Sequence, residues 1–449
     1  MANDIVNDTK VYGAPAETGR WVFVLAGMVM NLCLGTVYAW SVFRKPLQEL
    51  FSTPEVKITA TQTLLPFMVF LAVFTVLMPI SGRLLQRGVS PRLLSIIGSL
   101  FVAAGWILSG YVSDINYLYL TYGVIAGAGV GIVYGIPIAV VTRWFPDIKG
   151  IAVGGTVLGF GASALVTAYV ASNLIATQGI LTAFRSMGLF FLVWLVLLSL
   201  LLKFPPPGWR PAGWQPAAGT GGTVDYTPGE MVGTLSAWGL WLCFIIGSLA
   251  GLMAIGISSG VGQEIIKVDA ATAASLVAFF AMFNGGGRPV FGFLTDAMGP
   301  GRAAALSGAL VLLASALMVL FAGEGTLVLF MFCFACLWAA LGSWLAIAPT
   351  ATATFFGIKN SAANYGVIFS AYGIGAIAAG LIAGQAKDVF GSYIYAFYVT
   401  GGLALLGIII ALTLVKPPKK VISLVRPAGS PDPFAAGLDR TSHPADKAC

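Results

Sequence analysis

An all-α integral membrane protein, with twelve transmembrane helices in two repeated six-helix halves, is the fold class that this sequence predicts. Three observations predict it. Of 449 residues, 58% are hydrophobic and only 9% charged, with mean hydropathy +0.90, whereas soluble domains lie near half apolar and about a quarter charged. The apolar residues gather into twelve runs, each near the roughly 20 residues that a helix needs to cross about 30 Å of hydrocarbon. Two polar loop sequences then recur at a single offset. Lipid offers no water to satisfy stray backbone groups, so only helices or closed barrels can span it. Barrel strands need only about ten residues, and these runs are far longer.

In chain order, residues 1–20 form a polar tail containing Asp4, Asp8, Lys10 and Glu17. It reads as a tail and not as a cleavable signal, because the first span opens directly at Trp21. Spans are expected near 21–43, 60–81, 93–112, 117–142, 150–174 and 181–203, which makes residues 21–203 the first bundle. The stretch KFPPPGWRPAGWQPAAGTGGTVDYTPGE, Lys203 to Glu230, is too rich in proline and glycine for a continuous helix, and residues 204–235 are assigned to a middle loop. The second bundle, 236–415, holds spans near 236–258, 270–294, 303–322, 325–350, 361–384 and 391–415, followed by a tail at 416–449.

Basic residues orient the chain. With both termini on one side, the tails and even-numbered loops hold 17 of the 24 Lys and Arg, the opposite side holds six (Arg44, Lys45, Lys57, Arg185, Lys267, Lys387), and Arg288 lies within a span. Positive charge is retained on the cytoplasmic side, so both termini are expected there, in the cell (inner) membrane. The loops alone divide nine to six, so the tails carry much of this bias.

The two halves echo each other. GRLLQRGVSPR (Gly82 to Arg92) follows the second span as GFLTDAMGPGR (Gly292 to Arg302) follows the eighth, 210 residues on. WFPDIKG (Trp144 to Gly150) follows the fourth as FFGIKN (Phe355 to Asn360) follows the tenth, 211 residues on. A duplicated unit places a substrate site near mid-membrane, between the copies. Glycines recur at helical spacing, at Gly123, Gly127 and Gly131, at Gly155 and Gly159, and at Gly373, Gly380 and Gly384, where small residues let helix backbones approach closely.

Composition also excludes classes. The five cysteines fall mostly within apolar runs, and the CFAC pair Cys333/Cys336 has no partner pair or histidine, so neither a disulfide framework nor a metal site is indicated. The single histidine, His443, lies in the tail. No cofactor and no catalytic cluster are implied, so an enzyme is not expected. The net charge of +7 arises beside spans and sets topology, so no nucleic-acid partner is expected.

One stretch stands apart. FNGGGRPV, Phe283 to Val290, puts an arginine inside the eighth span, while no Asp, Glu, Lys or His takes a central position in any span. A charge there costs about 2.5 to 3.5 kcal/mol on insertion scales and is kept for function. A guanidinium is a permanent planar fork matched to a carboxylate, so Arg288 without a protein counter-ion predicts an anionic substrate. Gly285, Gly286 and Gly287 are read as removing bulk around it. Asn284 shares its face one turn earlier. Tyr38 in the first span, Tyr134 in the fourth, and Tyr365 and Tyr372 on one face of the eleventh complete a candidate pocket, in which hydroxyls orient a small carboxylate and rings limit its size.

These residues resemble a known family. Twelve spans in two halves, the long middle loop and GFLTDAMGPGR resemble the major facilitator superfamily, with a degraded first copy of the loop motif that has Gln86 where aspartate is expected. GAGVGIVYGI (Gly127 to Ile136), RWFPDIKG, NGGGRP (Asn284 to Pro289) and NYG (Asn364 to Gly366) resemble its oxalate/formate antiporter family and related monocarboxylate transporters. The resemblance implies that Arg288 binds the substrate carboxylate. It also implies a lysine, in oxalate exchangers, at the position that is Tyr372 here, and an acidic residue and a lysine, in animal-type monocarboxylate carriers, at positions that are Asn284 and Val42 here.

One cation suits one carboxylate, because burying a second uncompensated charge costs several kcal/mol. The expected function is therefore transport of a lactate-, pyruvate- or formate-type anion by alternating access, as symport with a proton or in exchange for another anion, by a monomer in the bilayer. An oxalate/formate-type antiporter is the alternative, and a transporter-like membrane sensor the alternative of a different class.

Overall fold

The structure is a computed structural model and describes residues 9–214, 225–357 and 360–418. Asp4, Asp8, Lys359, His443, Cys449 and the tail beyond residue 418 lie outside them. Among the described residues twelve helices are long and apolar enough to cross a membrane: α1 Ala16–Phe51, α2 Ala60–Gln86, α3 Pro91–Ser109, α4 Ile115–Trp144, α5 Gly150–Gln178, α6 Ile180–Leu201, α7 Leu235–Ile266, α8 Ala270–Met298, α9 Pro300–Phe321, α10 Leu327–Phe356, α11 Ser361–Phe390 and α12 Ile394–Thr413. A two-residue ladder, Lys10–Val11 with Ala14–Pro15, precedes them. A short helix, Pro228–Val232, capped by Thr227 and Glu230, leads into α7.

The duplicated motifs sit at equivalent junctions. GRLLQRGVSPR turns α2 into α3 and GFLTDAMGPGR turns α8 into α9. The second of these turns, and the link from α5 to α6, is a single glycine: Gly299 at φ +86° and Gly179 at φ +78°, backbone conformations that side chains rarely tolerate.

Packing follows the small residues. In the first half α5 lies on α1, α6 on α3, and α4 against α2 and α3; in the second, α11 lies on α7, α12 on α9, and α10 on α8. The halves meet along α2 with α11 and along α5 with α8. Gly127 and Gly131 of α4 face the backbones of Phe70 and Phe74, and Gly159 of α5 faces that of Met28. Across the interface Gly373 abuts Thr75, Gly380 abuts Met68 and Gly384 abuts Thr61. The helical glycine rows therefore do the close packing that the sequence suggested.

Most helices overrun the apolar stretches that announced them, although α3, α6 and α12 end short of theirs, and α1 shows why the longer ones do. A span ending at 43 placed Arg44 and Lys45 in a loop, whereas α1 continues to Phe51 because its last turns are amphipathic. Leu47 is buried while Lys45 and Glu49 are exposed, and Arg44 itself is only 5% exposed. Earlier in α1, Gly35–Ala39 tightens into a 3₁₀ turn, where Gly35 lies against the backbone of Phe160 and sets the depth of Tyr38.

The end of the bundle carrying the middle connection, here the loop end, is tied by the RWFPD motif. Both terminal nitrogens of Arg20 donate to the two Asp147 carboxylate oxygens at 2.7 Å, and one also donates to the Trp144 carbonyl at 2.9 Å. Glu17 adds a second ion pair at 3.2 Å and the Phe145 ring lies 4.4 Å from the guanidinium. The hydrogen bond from Arg20 holds the Asp147 carboxyl below its ordinary range. The NYG motif also serves the connection: buried Asn364 donates to the Tyr226 carbonyl at 3.0 Å.

Candidate functional site

Arg288 sits where α8 of the second half meets α5 of the first. The helix that carries it is started by Asp269, whose carboxylate accepts from the Ala271 and Thr272 amides. Pro289 has no N–H, which leaves the Gly285 carbonyl without its helical donor. Arg288 is 8% exposed. One terminal nitrogen donates to the Val157 carbonyl of α5 at 3.0 Å and the other to Asn284 Oδ1 at 3.4 Å, while its Nε is buried without a partner. Among the described residues it meets no carboxylate and no tyrosine hydroxyl within hydrogen-bond distance.

The flanking glycines play other parts than the sequence suggested. Gly285 faces Leu158 and Ala162, Gly287 faces the backbone of Ala339 in α10, and Gly286 is exposed with nothing near it. They bring α8 close to α5 and α10. Room for the guanidinium comes instead from Gly161 of α5, where a Cβ would stand 3.1 Å from Arg288 Nε and from Asn284 Oδ1. Asn284 is committed as an orienting group, accepting from Arg288 and donating to the Trp338 carbonyl of α10 at 3.3 Å.

The tyrosines assemble across the interface. The Tyr38 and Tyr372 hydroxyls meet at 3.0 Å, joining α1 to α11. Tyr134 stands edge-on to Phe74 at 5.3 Å and to Phe160 at 5.0 Å. The same two rings face Tyr372 and Tyr38 at 6.1 and 5.1 Å. Tyr365 reaches the group through Phe369, which stacks on Tyr372 at 5.2 Å. Ring contacts thus join the four tyrosines in one aromatic-walled centre between the halves, and Phe160, which borders it, directly precedes the Gly161 that lies beside Arg288.

Comparison with known proteins decides the family. The Major Facilitator Superfamily profile matches residues 21–346 and 240–442. The chain belongs to the major facilitator superfamily. It is a membrane transporter, not an enzyme. Curated relatives include the Oxalate:formate antiporter of Oxalobacter formigenes, 29% identical over 90% of this chain and 94% of that protein. The human Monocarboxylate transporter 11 is 29% identical over 44% of this chain and 41% of its own length. Among solved structures, a bacterial homologue of the human lysosomal transporter Spinster superposes with TM-score 0.66 over 88% of this chain and 96% of its own, at 14% identity. That likeness speaks to the superfamily fold alone.

Three groups at the centre escaped the sequence reading. Val157 and Trp338 contribute backbone carbonyls, which no side-chain pattern reveals. Gly161 could have been found: it lies two residues past Gly159, off the row that packs on α1, and a glycine on another helix face signals a second close approach.

Proposed function

We propose that this transporter carries a small monocarboxylate of the lactate, pyruvate or formate type by alternating access, with Arg288 as the anchor of the carboxylate. The supporting observation is the state of that guanidinium, buried between the halves on two neutral oxygens with its Nε unpartnered. A carboxylate offers charge-assisted, bidentate bonds of about 2.7 to 2.9 Å that a carbonyl and an amide oxygen do not replace. Binding converts a naked buried charge into a neutral pair, which lowers the penalty for moving the site through an apolar interior. The Tyr38–Tyr372 pair, Tyr134 and Tyr365 supply hydroxyls, and the rings around them confine the site to a small acid. Asn284 sets the fork.

The domains are 21–203 and 236–415, joined by a cytoplasmic connection at 204–235, with both tails cytoplasmic and the protein a monomer in the inner membrane. The loop end is then the inner end, in keeping with its excess of basic residues. Transport proceeds by proton symport or by anion exchange. A second reading, oxalate/formate exchange, is favoured by the named relative that matches over 90% of the chain. Against it stands Tyr372, which leaves the second charge of oxalate without a cation.

Purified protein in liposomes loaded with unlabelled lactate will take up labelled lactate by counterflow, competed by pyruvate and formate and only weakly by oxalate. Strong oxalate counterflow with no entry of or competition by lactate contradicts the monocarboxylate reading.

A further inference from the structure

A second buried guanidinium without a carboxylate partner, among the described residues, lies at the opposite end of the same interface. Arg44 of α1 donates from Nε to Thr63 Oγ1 at 3.2 Å and from one terminal nitrogen to the Ala60 carbonyl at 3.3 Å, both in α2 of its own half. Its remaining bonds cross to the other half: to the Gly256 carbonyl of α7 at 3.3 Å and to the Tyr393 hydroxyl before α12 at 2.8 Å. All four acceptors are neutral, and three distances exceed what a guanidinium makes with a carboxylate, about 2.7 to 2.9 Å. The nearby acids are engaged. Glu264 pairs with Lys387, and Asp388 accepts from the Ala60 and Thr61 amides at 2.7 and 2.9 Å.

Immediately beside Arg44 a crevice of about 240 Å³ opens between the halves, lined among others by Val42, Lys45, Glu49, Ser259 and Gln263. Val42 and Lys45 flank Arg44 in α1. Ser259 and Gln263 flank Gly260, where a Cβ would lie 3.6 Å from an Arg44 terminal nitrogen. Lys45 is held by Gln263 at 3.2 Å, and the formal charges of Lys45 and Glu49, which both line the crevice, cancel, so the net positive charge beside this mouth is that of Arg44, which lies just behind the lining residues.

We propose that Arg44 is an outer carboxylate site: when the halves part at this end, Gly256 and Tyr393 leave with the second half, and the freed donors take an incoming small carboxylate on its way to Arg288. It rests on the reading above in holding that an organic anion enters between the halves here. In the closed arrangement the same donors tie the halves together, so an anion arriving from this side competes for them and eases opening.

The test places a cysteine in the crevice by Ser259→Cys and reacts it from outside, in sealed vesicles, with sulfonate- and trimethylammonium-bearing methanethiosulfonates, taking the chain without that cysteine as the blank. With Arg44 present the sulfonate is favoured by about tenfold, as a charge-lined cleft concentrates its counter-ion. That preference falls to near unity in Arg44→Gln and largely survives in Arg44→Lys, which keeps the charge. In parallel, Arg44→Gln raises the KM for external lactate about tenfold and leaves the KM for efflux unchanged. An unaltered reagent ratio in Arg44→Gln, or a KM raised equally from both sides, overturns the outer site. Loss of the sulfonate preference in a protein that carries oxalate but not lactate upholds the outer site and overturns the monocarboxylate reading instead.

Discussion

Arg20 and Arg288 are the same side chain at nearly the same exposure, 5% and 8%, yet they are solvated in opposite ways. Arg20 is closed by two carboxylate oxygens at 2.7 Å, a carbonyl and an aromatic ring, and knots α1 to the α4–α5 turn. Arg288 has one carbonyl at 3.0 Å, one amide oxygen at 3.4 Å and an orphaned Nε. Burial of a charge therefore does not distinguish structure from function in this protein. What distinguishes them is whether the chain supplies the counter-ion, since a paired charge stabilises its surroundings while an unpaired one is kept at a cost of about 2.5 to 3.5 kcal/mol.

The largest expected contrast comes from removing each arginine. Arg288→Leu will lower lactate counterflow to the liposome background while raising the thermal midpoint, because a costly unpaired charge leaves an apolar interface. Arg20→Ala will do the reverse, losing about 1.5 to 3 kcal/mol of stability with the charged hydrogen bonds to Asp147, with the KM of the folded fraction unchanged. Thermal melts and counterflow on the two variants together decide whether they differ as stated, and a destabilised but active Arg288→Leu would erase the contrast.

The Arg20 pair adds a pH dependence. The Asp147 carboxyl is depressed in the folded state, so its contribution is fully present above the ordinary aspartate value of 3.8 and is lost as pH falls through the lowered folded value. Melting curves taken below pH 4 will show this acid loss in the wild type and not in Asp147→Asn.

A smaller effect is expected at Gly161. An added methyl 3.1 Å from Arg288 Nε and from the Gly285 backbone displaces the guanidinium without removing it, so Gly161→Ala will raise the KM for lactate by about tenfold, as about 1.4 kcal/mol of lost binding does, with a modest loss of stability from crowding α5 against α8. The smallest effect on transport belongs to the tyrosine pair. Tyr372→Phe leaves the buried Tyr38 hydroxyl unpartnered, a loss of about 1 to 3 kcal/mol in stability, and shifts the KM less than Gly161→Ala does.

The fold was legible because its signal is local: an apolar run of spanning length is visible residue by residue, and so are the repeated turns beginning at Gly82 and Gly292. Helix ends were not legible. At Arg44 the apolar signal stops while the helix continues, since a charged residue can bury its head against a neighbouring helix that the run itself does not reveal. The same limit divides the site. Arg288 was visible as a charge in an apolar span, and Tyr38, Tyr134, Tyr365 and Tyr372 as hydroxyls in spans. Their partners Val157, Trp338 and Gly161 lie on other helices and act through backbone or through empty space. The Arg20–Asp147 pair joins residues 127 positions apart, beyond any local pattern, so RWFPD stood out in the sequence with its structural task concealed.

Equilibrium binding of lactate to detergent-purified protein, followed by calorimetry at neutral pH, measures the pairing of Arg288 with a carboxylate apart from any movement of the halves. Saturable binding by the wild type, its disappearance in Arg288→Leu and marked weakening in Arg288→Lys, where the charge remains but the fork is lost, is the expected result. Equal affinity in the wild type and in Arg288→Leu would show that the carboxylate is held elsewhere.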